Sequence, residues 1–131
     1  MSNNNVSLEH LVLKIKKNNN SINFYKEFLE MLSYKQDFTS ENYDNYTGDN
    51  LSIGLYFEDN FKDSNEEFSG LGHLAWQVNN SPIVHKLNEL IDKYELEYEC
   101  LGEKRQHHNQ EFFTYCFYCP SGNRLELIYK P

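Results

Sequence analysis

Apolar and polar positions along this chain fall into two runs of one design. Over residues 7–16 they alternate, with Leu11, Leu13 and Ile15 on one side and His10, Val12 and Lys14 on the other. That two-residue period predicts a strand with one face covered. Asn18-Asn19-Asn20-Ser21 supplies loop and capping residues, and Ile22, Tyr25, Phe28, Leu29 and Leu32 follow at helical spacing. Short strands are predicted at 34–38 and 44–47, and a stronger one at 51–57. The acidic, aperiodic stretch from Asp59 to Ser69 reads as a linker. The plan then restarts with a strand at 71–78 and a helix opening at a capping Ser81 followed by Pro82. Ile83, Val84, Leu87, Leu90, Ile91 and Tyr94 form that helix's apolar stripe. Strands at 96–101, 111–118 and 123–129 close the second half, with Pro120-Ser121-Gly122-Asn123 as a turn.

The order is therefore β-α-β-β-β, twice. His10 opens the first half and His73 the second, and the closing strands Leu51–Tyr56 and Arg124–Tyr129 are cut alike. A repeat of this kind sets the architecture before any local assignment. It predicts a single α+β domain over 1–131, built of two βαβββ modules at about 6–60 and 70–131. Together the modules form a curved mixed sheet, with helices on its outer face and a trough on the other side.

Composition narrows the partners. Hydrophobic residues make up 39% of the 131, with ten tyrosines and nine phenylalanines, enough for a folded core. A net charge of −8 argues against nucleic acid or an anionic membrane as partner, since both select basic surfaces. No apolar run reaches the length of a membrane span, and the start of the chain lacks the basic and apolar regions of a signal peptide. Three cysteines, Cys100, Cys116 and Cys119, are odd in number and crowded into one half, which argues against a disulfide framework. A cytoplasmic protein acting on a small molecule is expected.

Strand parity then selects candidate chemistry. Leu11 follows His10, Leu74 follows His73, and Leu125 and Leu127 flank Glu126. If the leucines pack under the helices, His10, His73 and Glu126 all face the trough. Two imidazoles and a carboxylate on one face make a ligand set for one divalent metal with positions left open for substrate. Softness allows iron, manganese, nickel, cobalt or zinc. Taken singly, each residue has an ordinary reading as a solvated side chain; their equivalent places in the repeat are what join them. Arg124 shares parity with Glu126 and is a candidate for holding an anionic group, while Tyr56 and Tyr115, with Phe117, are candidates for the cavity wall. Cys116 and Cys119 point to opposite faces of a strand and have no second pair to complete a zinc site. His85 falls on the outer side of its helix.

The segments His10-Leu11-Val12-Leu13, Asn23 to Leu29, Gly72-His73-Leu74-Ala75-Trp76 and Pro120 to Leu127 resemble the vicinal oxygen chelate superfamily. This is the group of glyoxalases, bleomycin-resistance proteins and extradiol dioxygenases, and the resemblance covers nearly all of residues 8–129. It implies a metal-dependent enzyme that chelates a small substrate through two neighbouring oxygens, by lyase, isomerase or dioxygenase-like chemistry. The alternative it leaves open is a non-catalytic binding or resistance protein of bleomycin-resistance type. Members resembling glyoxalase I carry a fourth ligand, a glutamate, where the repeat here places Gly54, so the resemblance implies that this base is missing. The three remaining ligands resemble those of extradiol dioxygenases, whose flanking histidine corresponds to the Gln106-His107-His108-Asn109 segment. His107 is accordingly the first candidate for a general base, while Cys116 stands at the place of those enzymes' tyrosine. Fosfomycin-modifying members use a basic segment beyond the glutamate and are the weaker match. Whether the modules pair within one chain or across a homodimer is open at this level.

Overall fold

The computed structural model describes residues 6–61 and 72–131. Most of the expected linker, Asp59 to Ser69, lies outside them. The first module runs β1 (His10–Lys16), α1 (Asn19–Met31), β2 (Lys35–Thr39), β3 (Tyr43–Thr47) and β4 (Ser52–Glu58). The second runs β5 (Leu74–Val78), α2 (Ser81–Lys93), β6 (Tyr98–His107), β7 (Gln110–Tyr118) and β8 (Arg124–Tyr129). The expected α+β arrangement of two βαβββ modules is present, as two four-stranded mixed sheets ordered β1-β4-β3-β2 and β5-β8-β7-β6. In each, the opening strand lies parallel to the closing one. A parallel neighbour needs a long crossover, and the helix supplies it.

Capping starts both helices. Asn18 Oδ1 accepts the Ser21 N–H at 2.8 Å ahead of α1. Asn80, one residue earlier than the expected Ser81, accepts the Ile83 N–H at 3.2 Å, and Pro82 occupies the first turn where no N–H is required. The second departure is larger. β6 does not stop at residue 101 but continues to His107, because His108 and Asn109 both take positive φ, 49° and 62°. Two such residues turn a tight hairpin whose twist matches its strands. The polar Gln106-His107 stretch is thus strand.

Helix α1 organises the core. Its Phe24, Tyr25, Phe28 and Leu29 are buried. Phe28 lies edge-on to Trp76 at 5.2 Å and to Phe117 at 5.7 Å, both in the second sheet. Leu13, Ile15, Ile53, Leu55 and Phe57 from the first sheet join Phe117, Leu125 and Leu127 from the second in one apolar cluster. Each fully buried side chain of this size contributes roughly 1.5–3 kcal/mol. A buried polar tie accompanies it: Ser21 and Ser121 hydroxyls meet at 2.8 Å, and Ser121 Oγ also accepts the Lys16 N–H at 2.9 Å. Each sheet therefore spends one face on the shared core and leaves the other open. Among the described residues no helix is long and apolar enough to cross a membrane.

Candidate functional site

Register shows how the two open faces correspond. Ala75 pairs with Glu126 in β5–β8, and Val12 pairs with Gly54 in β1–β4. Gly54 is thus the structural equivalent of Glu126. Leu74 and Trp76 pack on the core, as do Leu125 and Leu127, so His73, Arg124 and Glu126 share the open face of the second sheet. His10, Val12 and Lys14 share that of the first, since Leu13 and Ile15 are buried. Alternation along a strand compels both arrangements.

On the second face the polar groups form one connected set. Arg124 Nη1 lies 3.4 Å from His73 Nδ1, and Arg124 Nη2 donates to Glu99 Oε2 at 3.0 Å. Tyr118 Oη donates to the other oxygen of Glu99. That hydroxyl first, and the nearby Arg124 charge, hold the Glu99 carboxyl below its ordinary range. The Cys116 thiol donates to Glu126 Oε2 at 3.0 Å. Burial, then the Glu126 carboxylate, push that thiol up to about 12, so it stays protonated and holds the carboxylate as a neutral donor. Arg124 Nε is buried and has no hydrogen-bond partner.

The first face is more open. His10 Nδ1 pairs with Glu9 Oε2 at 2.8 Å, and its side chain is 57% exposed. Tyr56 is exposed and lines a polar depression with Asn42, Glu58, Asp59 and Asn60, in which none of the expected ligands takes part. Gly54 has a specific steric cause. A Cβ there would fall 1.9 Å from Tyr43 Oη and 2.6 Å from Tyr43 Cζ. The phenol of Tyr43 fills the side-chain space at the position equivalent to Glu126. It donates to Asn45 Oδ1 at 3.3 Å, and Asn45 Nδ2 donates to Asp37 Oδ1 at 2.8 Å, which fixes the amide orientation.

The expected residues are therefore distributed unequally. His73, Glu126 and Arg124 meet on one face, whereas His10 lies on the open face of the other sheet. Among the described residues, no three His, Cys, Asp or Glu side chains gather closely enough to hold an ion within one chain. Tyr115 is a correction: it is buried and packs with Phe117 on the core side, so it does not line the open face. Phe117, fully buried, is corrected likewise. His107 sits at the hairpin end of β6, edge-on to His108 with ring centroids 3.9 Å apart. It pairs with Gln110, six residues along β7 from the Cys116 that pairs with Glu126. At a strand's rise that is roughly 20 Å, beyond any hydrogen bond to Glu126 in the same chain. Tyr43 is signalled in the sequence only indirectly, by Gly54 inside a strand, since such a glycine marks a close approach.

Comparison with solved structures places this architecture. A glyoxylase/bleomycin resistance protein/dioxygenase domain from Frankia sp. EAN1pec superposes with a TM-score of 0.69 at 18% identity, covering 98% of this chain and 100% of that one. The fold is the glyoxalase/bleomycin-resistance/dioxygenase fold. It is shared by the fosfomycin resistance protein FosX from Listeria monocytogenes, with a TM-score of 0.66, 17% identity and coverage of 96% and 94%. A glyoxalase family protein from Enterococcus faecalis gives 0.61, 20% identity and coverage of 93% and 96%. No family model and no curated protein matches the chain. At such identities the likeness concerns the fold, which hosts unrelated chemistries.

Proposed function

We propose that the protein is a metal-dependent enzyme of glyoxalase/dioxygenase type, binding one divalent cation through His73 and Glu126 of one copy and His10 of a second copy. The observation that carries this reading is positional. His10 opens β1, paired with Ser52, and His73 stands at the equivalent point immediately before β5, beside Arg124, each on an open sheet face. A homodimer that lays the first face of one copy against the second face of the other brings the donors together twice, as two-fold symmetry requires. Val12, 50% exposed, and Tyr56, 41% exposed, give that first face apolar surface to cover.

The donor set suits the group: two imidazoles and one carboxylate favour a first-row divalent metal and leave positions open. A cation bound there supplies Lewis acidity toward a small substrate that chelates it through two neighbouring oxygens. The chain's own residues do the rest. The Cys116 thiol holds the orientation of Glu126, and Arg124, tied to Glu99, offers positive charge beside His73 for an anionic substrate group. Tyr43 replaces a basic side chain at the Gly54 position by a neutral phenol, so proton abstraction by a carboxylate at that point is not available.

Calorimetric titration of chelator-treated protein with divalent manganese, nickel, zinc and ferrous iron tests the reading. Tight binding to the wild type, weakened by His10→Ala and by Glu126→Gln, is the expected result. A pure binding protein would instead bind its small molecule equally well with and without chelator.

A further inference from the structure

Across β6 and β7, Cys100 is the register partner of Cys116. Directly opposed residues of antiparallel strands project to the same face, with Cβ atoms about 4.5–5.5 Å apart. Cys100 Sγ lies 3.5 Å from Thr114 Oγ1, two residues along β7 from Cys116 and therefore on the same strand face. β6 is irregular on both sides of this pair, with register shifts between Tyr98 and Cys100 and between Leu101 and Glu103. Those bulges leave Cys100 on a short, separately adjustable piece of strand, whose shift brings the pair to disulfide spacing. Both are free thiols, Cys100 half-buried and Cys116 buried. Cys119 belongs to a different environment: it is buried and packs in the apolar core.

We infer that Cys100 and Cys116 form a thiol modification site, in which a hydroperoxide oxidises Cys100 and Cys116 resolves it to a reversible intramolecular disulfide. Cys100 is the point of attack because it is the accessible thiol of the pair, whereas Cys116 is covered and bound to the Glu126 carboxylate at 3.0 Å. The Cys100 sulfur, as thiolate, attacks the peroxide; the O–O bond breaks, hydroxide leaves, and Cys100 becomes a sulfenic acid. Cys116 sulfur then attacks that sulfur. The S–S bond forms as the S–O bond breaks, and the Cys116 proton passes by way of its acceptor Glu126 Oε2 to the departing hydroxide, which leaves as water. In sum, two thiols and one hydrogen peroxide give one disulfide and two waters. The new bond takes the Cys116 hydrogen bond away from Glu126, so oxidation is coupled to the carboxylate proposed as a metal ligand. Neither oxidation step requires a bound metal.

The test is peroxide treatment of the purified full-length protein, followed by intact mass and non-reducing peptide mapping. The expected product is monomeric in denaturing gels, has lost two hydrogens, and is restored by dithiothreitol. Lys104 and Arg105 lie between the two cysteines in sequence, so tryptic fragments stay joined only if the bond forms. Cys119→Ser should give the same product. Cys116→Ser should stop at a Cys100 sulfenic acid that dimedone traps. A wild type that retains all three thiols, links Cys119, cross-links between chains, or accumulates dimedone-reactive Cys100 would overturn the proposal.

Discussion

Glu126 carries the one negative charge among the three proposed donors, and Cys116 is its visible partner in the chain. Glu126→Gln keeps the shape and removes that charge. We expect metal affinity to fall by more than the roughly 10–100-fold typical of losing an outer hydrogen-bond partner, read by calorimetry. An unchanged affinity would remove Glu126 from the site. At Gly54 the prediction is steric. Adding a methyl group 1.9 Å from Tyr43 Oη forces the ring to move, and Gly54→Ala should cost roughly 1–3 kcal/mol by denaturant unfolding. Tyr43→Ala introduced beside it should return most of that loss; equal costs in both backgrounds would show that the ring is not the obstacle. Parity made the open-face placement of His10, His73 and Glu126 legible, because leucines on either side fix each strand's phase. It failed for Tyr115. From Phe112 to Cys119 nearly every residue is apolar or aromatic, so β7 has no amphipathic phase of its own, and only its pairing with β8 assigns one.

The elements themselves were read from capping residues and period. Their ends were less legible: β6 outran its expectation because a polar, exposed strand gives no hydrophobic alternation, and its turn residues His108 and Asn109 are not the usual glycine pair. Asn18 is the clearer signal, and Asn18→Ala should lower stability by about 1 kcal/mol. Contact between α1 and α2 yields a pH prediction. Glu27 accepts Lys93 Nζ at 2.7 Å and also the Tyr94 hydroxyl. The Lys93 hydrogen bond first, then Tyr94, depress the Glu27 pKa below its ordinary value. A depressed carboxyl stabilises the fold fully above its unfolded pKa and loses that contribution as pH falls through the folded one. Wild type and Glu27→Gln should therefore differ in unfolding midpoint at neutral pH and converge in acid. A difference that persists or grows in acid would contradict this assignment.

At the scale of the whole molecule, the duplication was the most legible feature, since two modules with the same strand order produce two sheets with the same order. What the repeat could not say is how the modules sit. That depends on α1, whose Phe24 and Phe28 pack against the second sheet as well as serving the first. Phe28→Ala should accordingly cost roughly 3–5 kcal/mol and loosen both modules together. By sharing their covered faces, the sheets put His10 on a different open face from Glu126, and the proposed site becomes a property of two copies. Complementation is the most direct measurement of that claim. His10→Ala chains and Glu126→Gln chains, each carrying a different affinity tag, are refolded together and the mixed dimer is isolated by both tags. In that dimer one site receives intact His10 from one chain and intact Glu126 from the other, while the second site lacks both. We predict that neither variant alone binds the metal tightly and that the mixed dimer recovers wild-type affinity at one site per dimer. A mixed dimer with no recovered tight site, or a wild type that binds metal as a monomer, would contradict the account.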